Sequence, residues 1–476
     1  MMVRSLTVAV IGAGVAGLLA ARELQREGHR VVVYEKSSKL GGLWAYDPRV
    51  ESDELGLDPG REIVHGSIYL SLRTNLPREL MSFSDFRLTE REYGDPRTFP
   101  GHKEVLSFLE DFAREFGLIE LIRFKTEVVR VERVGRQWVV ETIRADGESL
   151  DQAFEAVVVC NGHCTVPRLA EIPGLEKWRG KQTHSHNYRV PEPFRDQVII
   201  VIGNGASAYD ISRDISKVAK EVHLSSRSPN ANLSKLDIFP NIWQHSEIAC
   251  VNEDGTVAFE DGSLVHADTI FHCTGYNYEF RFLKTNGIVS VDDNRVGPLY
   301  NHVFPPELAP SLSFVGLPHQ SILFALMELQ SQWIARVLSG KVALPSKEEM
   351  TADVEQYFQQ MKKLNRPTHH THFLYKPEEF KYLDWLAAQA GSPLVEERKK
   401  EIYRKFLKLI ENPHDRLRDE WTACGVLVAR NYNTRLVRMA DKACPFNAKR
   451  RGEAYRKNPN NVDIGNTGDN TPSLHS

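Results

Sequence analysis

Two glycine clusters carry the chemistry that can be read most directly. Gly12-Ala13-Gly14-Val15-Ala16-Gly17 and Gly203-Asn204-Gly205-Ala206-Ser207-Ala208 each follow an apolar run and open a segment of helical spacing. Such a turn presents unpaired backbone amides at a helix N-terminus, where they and the macrodipole favour the phosphates of a dinucleotide. A glycine pattern alone is a weak signal, but its surroundings strengthen the first one. Residues 6–11 have the β-branched composition of a buried parallel strand, and Leu18, Leu19, Ala21 and Leu24 recur at helical spacing. Gly28 closes that helix and residues 30–34 form the next strand, which ends at Glu35. Gly12 permits the tight turn, Gly14 lets a pyrophosphate approach the backbone, and Gly17 lets helix and strand pack closely. Glu35 is placed to accept from a ribose 2′-hydroxyl and would repel a 2′-phosphate, so this site is expected to take FAD or NAD and to reject NADP.

The second cluster repeats the arrangement after residues 197–202, apolar from Val198 onward, with Gly203, Gly205, Ser207 and Ala208 in the loop and the helix opening over 209–215. The strand that follows, Val222-His223-Leu224-Ser225, ends on Ser226-Arg227-Ser228 rather than on an acid. A guanidinium beside hydroxyls gives forked, charge-assisted hydrogen bonds to a phosphate, so Ser226 and Arg227 point to NADPH here. The alternative for Arg227 is a solvated surface arginine.

Further segments resemble flavin-containing monooxygenases. Trp178-Arg179-Gly180-Lys181-Gln182-Thr183-His184-Ser185-His186-Asn187-Tyr188-Arg189 is similar to that family's fingerprint, with Trp178 in place of its phenylalanine. Gly41-Gly42-Leu43-Trp44 resembles its flavin-contacting turn, Thr74-Asn75-Leu76-Pro77 its active-site asparagine segment, and His272-Cys273-Thr274-Gly275-Tyr276 a strand end beside the second nucleotide. From Leu6 to about Trp421 the chain looks like plant S-oxygenating members, the group that includes glucosinolate S-oxygenases and the garlic S-allyl-cysteine S-oxygenase. Phe99-Pro100-Gly101-His102, Cys160-Asn161-Gly162-His163, Arg295-Val296-Gly297-Pro298-Leu299-Tyr300 and Glu328-Leu329-Gln330-Ser331 belong to that likeness. It implies cofactor contacts at Lys36, Gly42, Leu43, Trp44, Thr74, Asn75, Val129, Thr274 and Gln330, with Asn75 the catalytic residue near the flavin N5. An amide suits that place because it donates and accepts without a titratable proton. After Trp421 the likeness stops: a basic run with Lys449-Arg450-Arg451 stands where plant relatives carry an acidic stretch.

The elements that must position these residues form an α/β fold of two Rossmann-like dinucleotide-binding domains, the NADPH domain inserted into the FAD domain. The expected boundaries are 1–167 for the first part of the FAD domain, 168–291 for the NADPH domain, and 292–448 for the second FAD part with C-terminal helices. Residues 324–338, 347–364 and 395–410 read as helices. The polar stretch 449–476 is expected to be disordered.

Composition removes several function classes. Among 476 residues, 60 Lys and Arg nearly balance 63 Asp and Glu, so no global field gathers nucleic acid. No segment approaches the roughly 18 apolar residues of a spanning helix, and the N-terminal run lacks a signal peptide's charged start and cleavage site, which points to a cytoplasmic protein. Six cysteines form neither a disulfide framework nor a zinc pattern. Thr368-His369-His370-Thr371-His372 lacks companion ligands, so no metal is expected and a solvated loop is preferred.

Reduced flavin can pass its electrons to dioxygen, a disulfide or another carrier. No cysteine precedes Cys160, and Cys160 with Cys164 suits small residues beside a nucleotide better than a redox pair. Oxygen is the favoured acceptor. A hydroperoxide at flavin carbon 4a is itself electrophilic, so a thioether can attack it without a protein nucleophile, and the protein's task is to exclude water. The expected partners are therefore a small-molecule thioether and O2, best matched by an S-alk(en)yl-cysteine such as S-allyl-cysteine going to its sulfoxide. Alternatives are N-oxygenation, a Baeyer–Villiger step, glucosinolate S-oxygenation, or a flavin carrier serving a protein partner. His184 and Ser185 are read as residues that hold the interdomain linker, and the oligomeric state is left open.

Overall fold

The computed structural model describes residues 4–227, 233–236 and 238–411, together with Arg418 and Trp421. Its first sheet is parallel throughout, in the order Leu312–Phe314, Ala156–Val159, Thr7–Ile11, Arg30–Tyr34, Ile122–Arg123. The central strand pairs Ile11 with Tyr34 on one side and with Val159 on the other. Both of its faces are covered, which is why residues 8–10 are uniformly apolar rather than alternating. Helix α1, Val15–Arg26, returns the chain across this sheet and packs against α4, Leu323–Leu338. Helix α2, His102–Glu115, buries Val105, Phe108, Leu109 and Phe112, one stripe at helical spacing.

An antiparallel sheet of Thr126–Val134, Gln137–Arg144 and Ser149–Phe154 extends from the first sheet, and Leu283–Lys284 adds to its edge. Trp138, Val140 and Phe154 point inward to the cluster that also contains Ile11, Val159 and Phe314.

The second sheet runs Ser234–Lys235, Ile242–His245, Glu221–Ser225, Val198–Ile202, Thr269–His272, Lys181–His184, and all but the first of these strands are parallel. Helix α3, Ala206–Ile215, covers it, with Ile199, Val201, Ile211 and Phe271 sharing one cluster. The two crossings of the chain between the sheets run side by side, because Val166–Pro167 pairs antiparallel with Tyr276–Asn277. The fold is thus α/β with two Rossmann-like units, the second contributed by an insertion in the first.

The later helices are α5, Lys347–Lys363, α6, Glu378–Ala390, and α7, Glu397–Glu411. Ser346 caps α5 through a reciprocal pair with Glu349, which satisfies amides that the helix itself cannot. The segment 368–372, expected as a solvated loop, differs. His372 is buried, where Nε2 accepts from the Val296 amide at 3.1 Å and Nδ1 lies 3.1 Å from His302 Nδ1. Its polar sequence hides this because the partners lie about 70 residues upstream. The expected disorder of 449–476 lies outside the described residues.

Candidate functional site

The first glycine loop is closed by contacts that leave no room for side chains. Gly12 has φ 103°, and a Cβ there would lie 2.6 Å from the Cys160 carbonyl oxygen; at Gly17 it would lie 1.8 Å from the Gly12 oxygen. The Gly42–Trp44 turn sits against the same loop, since Gly41 N donates to Ala13 O at 2.9 Å and a Cβ on Gly14 would meet Gly42 Cα at 3.5 Å. No side chain caps α1 at Gly14. Its first amides are thus arranged as a pyrophosphate requires. The Glu35 carboxylate accepts from Ala13 N at 2.9 Å and Ser37 N at 2.8 Å, which fixes it beside the loop. Lys36 pairs with Glu127 at 2.7 Å, and Val129 lies two residues on, at a register break in the same strand.

At the second loop Gly203 has φ 127° and a Cβ would lie 2.5 Å from the Cys273 carbonyl oxygen, whereas a Cβ on Gly205 would meet nothing within 4 Å. The backbone at Gly205 is therefore open to an incoming group, and α3 likewise has no side-chain cap. Ser207 is half-buried and Ala208 buried in the first turn. Ser226 is buried at the end of the Glu221–Ser225 strand, and Arg227 is exposed beyond it. Thr274 donates its hydroxyl to the Arg168 carbonyl and Gly275 accepts from Arg168 N, which joins the crossing strands at the rim of this sheet. Burial, and then the charges of His369, Arg168 and Arg227, hold His370, at the end of the Thr368–His370 turn, below its ordinary pKa.

Asn75 is exposed, on a ledge formed by residues 69–76. Thr74 beneath it is buried, with its amide donating to Pro100 O and its hydroxyl to Leu76 O, both at 2.8 Å. The ledge is fastened to α3: Tyr69 Oη donates to Asp210 at 3.0 Å and Ser71 Oγ to Asp214 at 2.6 Å. Tyr188 Oη adds a bond to Asp214 at 2.8 Å. Burial opposes the Asp214 carboxylate, yet hydrogen bonds from Lys217, Ser71 and Tyr188 hold its pKa below the usual range. Asn75 Oδ1 accepts from Arg418 Nη2 at 2.7 Å. Gln330 stands apart from the ledge: it is fully buried, accepting from Gly316 N and donating to Tyr382 Oη, both at 2.9 Å.

Glu51 and Arg61 belong to no local motif, yet they join the fingerprint residues of the linker. Glu51 and Arg61 form a fully buried pair at 2.6 Å, and Glu51 also contacts His186 Nε2 at 3.1 Å. Arg189 donates to the carbonyls of Asp47, Gly66, His186 and Tyr188. Together they bind segment 47–66 to the linker. His184, fully buried, accepts from His186 N at 3.0 Å, and burial, then His186 and His272, lower its pKa to about 3. It stays neutral near pH 7. Burial pushes the Cys160 thiol well up and that of Cys164 to about 11, so neither supplies a thiolate near neutral pH. Among the described residues no group of three or more His, Cys, Asp or Glu is placed to hold a metal, and no helix is long and apolar enough to cross a membrane.

With this geometry in place, comparison with known proteins is direct. The model of the flavin-binding monooxygenase-like family matches residues 5–237 and 230–395. The flavin-containing monooxygenase FMO GS-OX5 of Arabidopsis thaliana is 56% identical over 425 residues, 88% of this chain and 92% of that protein. FMO GS-OX4 of the same plant is 54% identical over equal shares. The solved S-allyl-L-cysteine S-oxygenase from Allium sativum is 50% identical with a TM-score of 0.87, covering 93% of this chain and 99% of that one. Flavin-dependent monooxygenases of this kind use FAD and NADPH. The chain belongs to the flavin-binding monooxygenase-like family.

Proposed function

We propose that the chain transfers one oxygen atom from O2 to the sulfur of a small thioether, with an S-alk(en)yl-cysteine such as S-allyl-cysteine as its substrate. The observation that carries this is the position of Asn75, a neutral amide on a ledge fastened to the helix that the second glycine loop opens. The S-oxygenase from Allium sativum, alike over nearly its whole length, supports sulfur as the acceptor.

In this assignment FAD lies at Gly12, Gly14 and Gly17, with Glu35 accepting from its ribose and Lys36, Gly42, Leu43, Trp44, Thr74 and Val129 lining its path. NADPH lies at Gly203, Gly205, Ser207 and Ala208, with Ser226 and Arg227 on the 2′-phosphate and Thr274 behind, while Gln330 belongs to α4 on the FAD side. When bound, these groups supply the reducing equivalents and the activated oxygen. The residues then have three tasks. Backbone amides of the two loops neutralise pyrophosphate charge. Asn75 Nδ2 donates a hydrogen bond without releasing a proton, since an amide does not titrate. The buried cluster around Glu51, Arg61 and Arg189 holds segment 47–66 to the linker. A thioether is already nucleophilic, so no general base is called on.

The test is consumption of NADPH with S-allyl-cysteine, with the sulfoxide identified by mass spectrometry. Turnover of a glucosinolate thioether in its place would keep the reaction and change the substrate. Peroxide release with no sulfoxide from either would remove the proposal.

A further inference from the structure

Two residues beyond α7 come back onto the ledge that carries Asn75. Trp421 is buried and meets the Phe99 ring edge-on, with centroids 5.8 Å apart. Phe99 precedes Pro100, whose carbonyl accepts from the Thr74 amide, so this anchor grips the strand-like segment beside Asn75. Arg418 reaches the other side of the ledge. Its Nη2 donates to Asn75 Oδ1 at 2.7 Å, and Nη1 and Nη2 both donate to Asp210 Oδ2 at 3.0 Å. Asp210 belongs to α3 and also accepts from Tyr69 Oη at 3.0 Å.

The chemistry of these groups settles which way the amide faces. A guanidinium carries donors and no acceptor, so it binds only the oxygen end of an asparagine. With Oδ1 committed to Arg418, Nδ2 is turned away from the arginine. Asp210 supplies the counter-charge, so the guanidinium is held by a carboxylate on α3 and by the amide on the ledge at once. Removing the arginine frees the amide to rotate about its terminal bond and takes away its direct link to α3, while Tyr69 and Ser71 still hold the ledge to that helix.

We propose that Arg418 is a positioning residue, which sets the orientation of the Asn75 amide and couples it to the helix of the second glycine loop. This rests on the role given to Asn75 under Proposed function. Its loss diverts reducing equivalents: NADPH, a proton and O2 become NADP+ and hydrogen peroxide, and no oxygen reaches the substrate.

The experiment uses the full-length, flavin-loaded protein with substitutions Asn75→Ala, Arg418→Ala, Arg418→Lys and the double variant Asn75→Ala/Arg418→Ala. Peroxide formed per NADPH oxidised, the KM for NADPH and the visible absorption spectrum of bound flavin are measured. For Arg418→Ala the peroxide share should rise by about threefold or more while the KM for NADPH stays within about twofold. Its flavin band should shift in the same sense as that of Asn75→Ala. The double variant should leak no more than Asn75→Ala alone, because the two side chains act as one unit. Arg418→Lys, which keeps the charge and loses the fork, should fall between. Should Arg418→Ala fail to fold, Asp210→Asn removes the counter-charge and should leak likewise. A wild-type ratio and spectrum in Arg418→Ala, or in Asp210→Asn where it stands in, beside a leaking Asn75→Ala, overturns the role of Arg418 and leaves that of Asn75 standing. A wild-type ratio in Asn75→Ala removes both.

Discussion

Arg227 stands exposed just beyond the Glu221–Ser225 strand, which pairs with the strand that leads into the second glycine loop. If it holds the 2′-phosphate, Arg227→Ala should raise the KM for NADPH by about tenfold to a hundredfold, the worth of one or two charge-assisted hydrogen bonds, and leave that for NADH nearly unchanged. Steady-state kinetics with the two nucleotides measures this, and equal effects would remove the assignment. The strand ends that carry Glu35 and Arg227 were legible because a Rossmann unit puts such a position at a fixed distance from its glycines. Arg418 and the Glu51–Arg61 pair were not. Each acts through a partner set by tertiary folding, and Arg418 bonds Asn75 from 343 positions away. The burial of His372 was hidden for the same reason.

At the scale of elements, what could be read followed periodicity. The Arg30–Tyr34 strand matches its expected bounds, and α4 and α5 begin and end within a residue of theirs. The antiparallel sheet from Thr126 to Phe154 went unread, because its outer face is polar and its inner residues show their purpose only against the first sheet. How α1 meets its strand gives a sharp expectation. A Cβ at position 17 would sit 1.8 Å from the Gly12 oxygen, a backbone atom that cannot step aside. Gly17→Ala should therefore push α1 away from the loop and yield protein with little bound flavin, read from the ratio of absorbance near 450 nm to that at 280 nm. A fully yellow variant would show that the close approach is unnecessary.

Across the whole molecule, histidines buried in neutral form link stability to pH. Burial is the first cause of lowered pKa at His184, to about 3, and at His272 and His302, to about 4, against an ordinary 6.5. Below pH 6.5 the unfolded chain binds protons at these sites that the folded chain does not, so stability falls as pH drops from about 6.5 toward 4. Above pH 7 both states are neutral and these groups contribute no slope. The urea midpoint should be flat in this respect from pH 7 to 8 and decline steadily from pH 6.5 to 5. A midpoint unchanged over the lower interval would mean that the histidines are charged in the folded protein.

The fold joins two Rossmann-like units and fastens the Asn75 segment to the helix of the second, and oxygen transfer to sulfur is the outcome assigned to it. Turnover of S-allyl-cysteine with NADPH under oxygen-18 gas tests this most directly. The expected product is a sulfoxide heavier by two mass units than that formed in ordinary air, with one labelled oxygen per molecule. A sulfoxide carrying oxygen from water, or NADPH oxidised with all of the label recovered in hydrogen peroxide, would contradict it.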